Sequence, residues 1–191
     1  MERSVFEHPN VVAAIGIIGV CFFFIMWIAA VLIDGAWVFG EMTLSELGDP
    51  SRPADAIFNA ACIITGILMA LFAYGMRAQE ELPLLRWSMF LMMIAGIFLI
   101  GIGVFPIHID VWHTFFSWAF FLTMLTAILI SVPPNWHRGR RGKAMSIVSI
   151  AIVATAVILL TLTPIGLAEA MSVIFIMIWA LMHGVDMLAA A

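Results

Sequence analysis

Charge is what this sequence has least of. Of its 191 residues, 8 are Lys or Arg and 12 are Asp or Glu, 10% in all; an ordinary soluble domain carries about 25%. So few ionisable side chains cannot clothe the surface of a water-soluble fold of this length, which excludes a soluble enzyme and a disordered tail. Cysteine is almost absent. Cys21 and Cys62 make no CxxC and no Cys/His cluster, so a disulfide scaffold, a zinc finger and an iron–sulfur protein fall away. Eight basic residues and a net charge of −4 also exclude nucleic acid as a partner. What is present is apolar: 64% hydrophobic residues, with 14 Met and 15 Phe. That is the composition of an integral membrane protein, and the length gives a prior of one domain.

A hydrocarbon core of about 30 Å needs about 20 apolar residues in a helix. Six segments meet or approach this: Val11–Ile33, Ile57–Met76, Trp87–Phe105, Val111–Val132, Met145–Thr163 and Met171–Ala189. Each is apolar all round and none alternates, which excludes a β-barrel. Lipid offers the backbone no hydrogen-bond partners, so helices are what remains. The expectation is an all-α, six-transmembrane-helix bundle with short loops, residues 1–191 forming one domain. The first run follows Arg3, as in a signal peptide, but its 23 residues are too long for a signal h-region and no A-x-A-like site closes it. It reads as a retained helix.

Lys and Arg divide unevenly between alternate connections. Arg3, Arg77, Arg86, Arg138, Arg140, Arg141 and Lys143 share one side, and Arg52 is alone on the other. The positive-inside rule then places the N- and C-termini in the cytoplasm. Arg138, Arg140, Arg141 and Lys143 can contact anionic lipid headgroups, at roughly 1 kcal/mol per charge. Small residues such as Gly16, Gly19, Gly96, Gly101 and Gly103 suit close helix contacts, although no strict GxxxG specifies a dimer. A homodimer, or a place as a subunit of a membrane complex, fits so thin a bundle.

Polar residues at membrane depth are where function is sought first. In the connection 34–56, Thr43 and Glu46 have capping-box spacing, so a short interfacial helix starts there and Gly48 and Pro50 end it. Glu46 is either that cap or a ligand folded back over the bundle. Asn59, one turn into the second helix, needs an interhelical partner. Pro106 stops the third helix, and Asp110 stands at the N-cap position of the fourth. At about 100° per residue Asp110, His113 and Ser117 share a face, while His108 falls in the loop. A carboxylate, an imidazole and a hydroxyl at one level can bind a metal, activate water or hold a polar headgroup. The metal candidates are His113, Asp110 and Glu46. His183 and Asp186, three apart on the sixth helix, form a second polar site about 18 Å below the outer boundary. Bis-histidine haem needs two imidazoles at like depth on facing helices. His113 and His183 differ in depth, so haem is not expected.

Leu44-Ser45-Glu46-Leu47-Gly48, Phe58-Asn59, the run Gly103-Val104-Phe105-Pro106 and then His113 with Ser117 follow one another in an order that resembles the DUF998 family. These are prokaryotic, largely archaeal, multi-pass membrane proteins of unknown function. The resemblance covers nearly the whole chain and implies the six-helix layout. It singles out Ser45, Gly48, Asn59, Pro106 and His113, and brings no activity with it.

Three functions stand after this reading. One is binding of a lipid or small ligand, or a subunit role, through an outer polar pocket of Ser45, Glu46, Asn59, Asp110, His113 and Ser117. Another is metal-assisted hydrolysis of lipids at that level, with His113, Asp110 and Ser117 as the catalytic group. The third is a small transporter or proton-coupled carrier in which His183 and Asp186 extend the polar path inward.

Overall fold

The computed structural model describes Phe6 and residues 8–190. Arg3, counted above in the charge asymmetry, lies outside the described residues. Six helices follow one another: α1 (Pro9–Asp34), α2 (Asp55–Gln79), α3 (Pro83–Val104), α4 (Asp110–Trp136), α5 (Gly139–Leu162) and α6 (Ile165–Ala190). One 3-10 helix, Leu44–Gly48, stands in the long connection between α1 and α2. No sheet forms among the described residues. All six helices are long and apolar enough to cross a membrane. Even the shortest, at 22 residues, extends about 33 Å at about 1.5 Å per residue.

Helix ends differ from the sequence expectation in ways that matter later. α4 continues through Pro133 and Pro134 to Trp136. Proline has a helical φ but removes an amide bond and crowds the carbonyl four residues back, and here both prolines fall in the last turn, where the helix ends two residues later. α5 starts at Gly139 and not Met145, and α6 at Ile165 and not Met171. Hydropathy places a boundary where charge appears; the backbone goes on coiling while its end is in reach of polar groups. Asp110 is the first helical residue of α4 and Ile109 takes the N-cap. The Asp110 carboxylate therefore sits against the positive end of the helix dipole.

Each helix packs against the next, α2 against α3 most extensively, and α6 closes the ring on α1. α4 and α6 scarcely touch, and α5 buries the smallest share of its length. Phe72, Met89, Met92, Met124 and Trp179 fill the interior, while Ile25, Leu32, Val111 and Leu162 face outward. Outward apolar side chains are the surface a bilayer requires. The connection containing the 3-10 helix, the α3–α4 turn and the α5–α6 turn share one end of the ring, here the loop end. The α2–α3 and α4–α5 turns share the other, the basic end, where Arg140, Arg141 and Lys143 are exposed.

α2 and α3 meet through glycine. A Cβ at Gly96 would lie 2.7 Å from the Gly66 carbonyl oxygen, and one at Gly66 2.6 Å from that of Gly96. With backbone against backbone, neither side can give way. Gly96→Ala is expected to destabilise the protein in detergent by about 1–3 kcal/mol, the cost of overpacking. Gly19→Ala, where the nearest neighbour is the Leu68 side chain at 3.2 Å, should cost clearly less. Parallel melting curves of the two variants make the comparison.

Candidate functional site

The long connection is folded tightly onto the bundle, and nearly every polar group in it is used. Gly35, with φ of 69°, ends α1 in the left-handed conformation that glycine accepts most readily, its amide bonding the Val31 carbonyl at 3.0 Å. Arg52 reaches back to Asp34 at 2.9 Å and lies 3.8 Å from Glu46. The indole of Trp37 donates to the Thr43 carbonyl at 2.8 Å. Glu46 accepts the Thr43 amide at 2.9 Å and the Thr43 hydroxyl at 3.2 Å, the carboxylate half of a capping box. Beyond the 3-10 helix, the Ser51 hydroxyl at 2.6 Å and amide at 2.8 Å hold the Asp49 carboxyl below its ordinary range. That turn therefore keeps its bonds until the pH falls below the usual carboxylate range.

Two residues fasten the 3-10 helix to its neighbours. Asn59 on α2 donates its amide to the Gly48 carbonyl at 2.9 Å. Its side-chain oxygen crowds the place of a Cβ at residue 48, so a larger residue there would push the Asn59 side chain from its bond. On the other side Glu169, in the second turn of α6, accepts the Leu44 amide at 3.1 Å and the Ser45 hydroxyl at 2.9 Å. Gly166, one turn earlier, lies beneath the backbone of Glu41 and Met42, with room for no side chain. The 3-10 helix is thus clamped between α2 and α6.

Under that clamp a cleft of ≈ 400 Å³ opens between α4, α5 and α6. Thr43, Ser45, Asp110, His113, Thr114, Ser117, Glu169 and Ser172 contribute its polar lining, all toward the loop end. Farther in, Phe121, Leu125, Ile128, Ile152, Phe175 and Ile176 make it apolar. From His113 to Ile128 along α4 is about 22 Å, so the floor lies well below the polar mouth. Trp118, Leu122, Val157 and Leu160 line the cleft while remaining exposed, so it also opens sideways between α4 and α5. The volume falls within the range of small-ligand sites.

His113 is buried, and its Nδ1 lies 2.8 Å from the Phe105 carbonyl oxygen, a C-terminal group of α3 left without a helical partner. A carbonyl can only accept, so Nδ1 carries the proton in that bond. In the neutral ring Nε2 is then a free acceptor. One turn farther, the Ser117 hydroxyl is buried with no partner among the described residues. Asp110 is exposed at the mouth, 3.4 Å from the Thr114 hydroxyl.

The structure therefore divides the residues singled out from the sequence. Ser45, Asp110, His113 and Ser117 meet in the cleft. Glu46 and Asn59 lie outside it and hold the loop in shape. Among the described residues no three of His, Cys, Asp and Glu form a group able to hold a metal ion. Glu169 and Ser172 are the residues the sequence reading missed. Their signal was there: they are three apart and so share a helix face, but Glu169 stands two residues before the expected start of the sixth helix, in a stretch read as connection.

His183 and Asp186 stand near the basic end, His183 about 27 Å along α6 from its first residue. His183 is buried, with its ring edge-on to Trp179 at 4.4 Å. Its Nε2 and the Trp179 Nε1 have no partner among the described residues. Asp186 is half-buried, and no hydrogen bond among the described residues joins it to His183. The two share a face without forming a pair.

The family model of DUF998, a protein family of unknown function, matches residues 17–186. The match runs from within α1 to within α6 and includes the clamped loop, and the chain belongs to that family. No curated protein and no solved structure matches the chain.

The loop clamp is testable by amide exchange over residues 43–49. Glu169→Ala deprives the Leu44 amide and the Ser45 hydroxyl of their acceptor together. Hydrogen bonds to a charged group are worth about 1.5–3 kcal/mol each, so local opening should become roughly tenfold or more easier. Ser45→Ala should show a smaller effect of the same sign. Glu41→Ala, at an exposed position, should leave the exchange unchanged.

Proposed function

We propose that this DUF998 protein binds an amphiphile in the cleft between α4, α5 and α6, with the polar head at the loop end and the chain in the apolar well. The carrying observation is the grading of the lining: hydroxyls, imidazole and carboxylates at the mouth, then only apolar side chains for the rest of the depth. A purely polar solute would leave the well dry and unfilled, and a pure hydrocarbon would leave the mouth unpaired. A molecule with both parts satisfies both. The sideways opening at Trp118, Leu122, Val157 and Leu160 supports loading from the bilayer.

In this reading the loop end faces outward and the N- and C-termini lie in the cytoplasm, because the exposed cations Arg140, Arg141 and Lys143 crowd the opposite end. They lie in the first turns of α5, where the helix dipole disfavours positive charge. Anionic headgroups of the inner leaflet would offset that cost. Arg138 is already bonded to Glu80 at 3.1 Å, so it contributes less to such a contact. Hydrolysis of a bound lipid would need a nucleophile or an activated water. Ser117 and the His113 Nε2 are the groups available for it. A carrier would need a polar path onward, and Ile128, Ile152 and Ile176 floor the cleft instead.

Two experiments test these readings. A photoactivatable fatty-chain probe incorporated with the protein into nanodiscs should crosslink to the lining segments of α4, α5 and α6, and Ala156→Trp, which fills the well, should abolish most of that labelling. Labelling spread evenly over all lipid-facing helices, indifferent to Ala156→Trp, would sink the binding site. For topology, in a background without Cys21 and Cys62, Asp49→Cys should react with an impermeant thiol reagent added to intact cells, and Arg140→Cys only after lysis. The reverse pattern would invert the assignment of sides.

A further inference from the structure

The charges around the cleft are of one sign, and this bears on the head of what it holds. Its lining contains Asp110 and Glu169 and no Lys or Arg. Among the described residues Arg52 is the one Arg at the loop end, and it is occupied by Asp34 at 2.9 Å, with Glu46 3.8 Å away. Arg138 is held by Glu80 at the opposite end of the bundle, where Arg140, Arg141 and Lys143 also stand. The connection at the same end carries Glu41 and Asp49 besides the Asp34 and Glu46 that face Arg52, so acidic groups outnumber basic ones there.

The hydrogen-bonding capacity is equally one-sided. The Glu169 carboxylate takes its bonds from the start of the 3-10 helix, the Leu44 amide and the Ser45 hydroxyl among them, and a carboxylate has about four acceptor sites in all. The His113 bond to Phe105 leaves Nε2 as an acceptor. The hydroxyls of Ser117, Ser172 and Thr114 can adapt to either role. Fixed acceptors thus outnumber fixed donors, and no cation neutralises the two carboxylates.

From this we infer that the cleft selects amphiphiles with an ammonium head and rejects those with a phosphate or carboxylate head. The inference rests on the amphiphile-binding reading above and adds the chemical class of the head. An ammonium brings three donors and the missing positive charge to the acceptors at the mouth. An anionic head there would face Asp110 and Glu169 with nothing to pair it, and would lose its hydration without return.

The test compares three ligands with one tail: dodecylamine, 1-dodecanol and dodecyl phosphate. Each displaces a fluorescent fatty-chain probe from the whole protein in phosphatidylcholine nanodiscs at pH 7, with protein-free nanodiscs as the partition control. Dodecylamine is charged at this pH, since alkylamines titrate near the lysine value of about 10.4. It should displace the probe at a concentration roughly tenfold below 1-dodecanol, a preference of about 1.4 kcal/mol. Dodecyl phosphate should be weaker than the alcohol. The gap between amine and alcohol should narrow in Asp110→Asn, whose side chain is exposed and holds no part of the loop, and again as salt is raised.

Equal displacement by all three, or the phosphate acting best, overturns the head selectivity and leaves amphiphile binding intact. A gap unaltered by both Asp110→Asn and salt also overturns it. If the probe is not retained and none of the three competes, the amphiphile reading itself fails.

Discussion

The contact on which the loop end depends is that between the Glu169 carboxylate and the start of the 3-10 helix. A carboxylate in the second turn of a membrane helix is costly unless something compensates it. Here the Leu44 amide and the Ser45 hydroxyl do so. The first 3-10 residues are in turn short of acceptors for their amides, as all helix starts are. Each side thus answers the other's deficit, and the result fixes a loop of irregular backbone over the end of the bundle. Without it Thr43 and Ser45 would not be held over the cleft, and α6 would lose its anchor to α1 and α2 through the loop.

That arrangement changes the meaning of the short motif Leu44-Ser45-Glu46-Leu47-Gly48. Its residues looked like candidates for ligand contact, and three of them turn out to have structural tasks. Glu46 caps Thr43, Gly48 clears space for Asn59, and Ser45 bonds Glu169. Leu44 and Leu47 are fully buried beneath them. Asn59 and Gly103 extend the same packing, since a Cβ at Gly103 would meet the Asn59 backbone carbonyl. The motif builds the lid of the cleft; most of the lining comes from α4, α5 and α6.

The architecture was legible in the sequence because a bilayer leaves so few alternatives. Six apolar runs of the right length can only be six helices, and short connections make neighbours of consecutive helices. The ends of α5 and α6 were less legible. Hydropathy falls at Arg138–Lys143 and at Glu169 for reasons unrelated to whether the backbone still coils. That error concealed Glu169, which looked like part of a connection and is in the second turn of α6. The set Asp110, His113 and Ser117 was readable from helical periodicity alone, since all three lie on one helix. Its partners on α6 required knowing which helices face each other, and that is a tertiary fact no spacing contains.

His113 illustrates how one residue can carry both readings set against each other in the sequence. As a structural residue it satisfies the Phe105 carbonyl and so fixes the α3–α4 turn after Pro106. The same bond orients the ring and assigns its proton to Nδ1, leaving the other nitrogen unprotonated in a neutral ring. A histidine held this way is preorganised as an acceptor: it has no tautomer to exchange before it meets a donor. Partial burial strengthens the Phe105 bond, while the rest of the ring faces the cleft. The structural role and the binding role proposed for it therefore rest on one geometry. The Ser117 hydroxyl one turn away, without a partner among the described residues, extends the polar lining toward the apolar well.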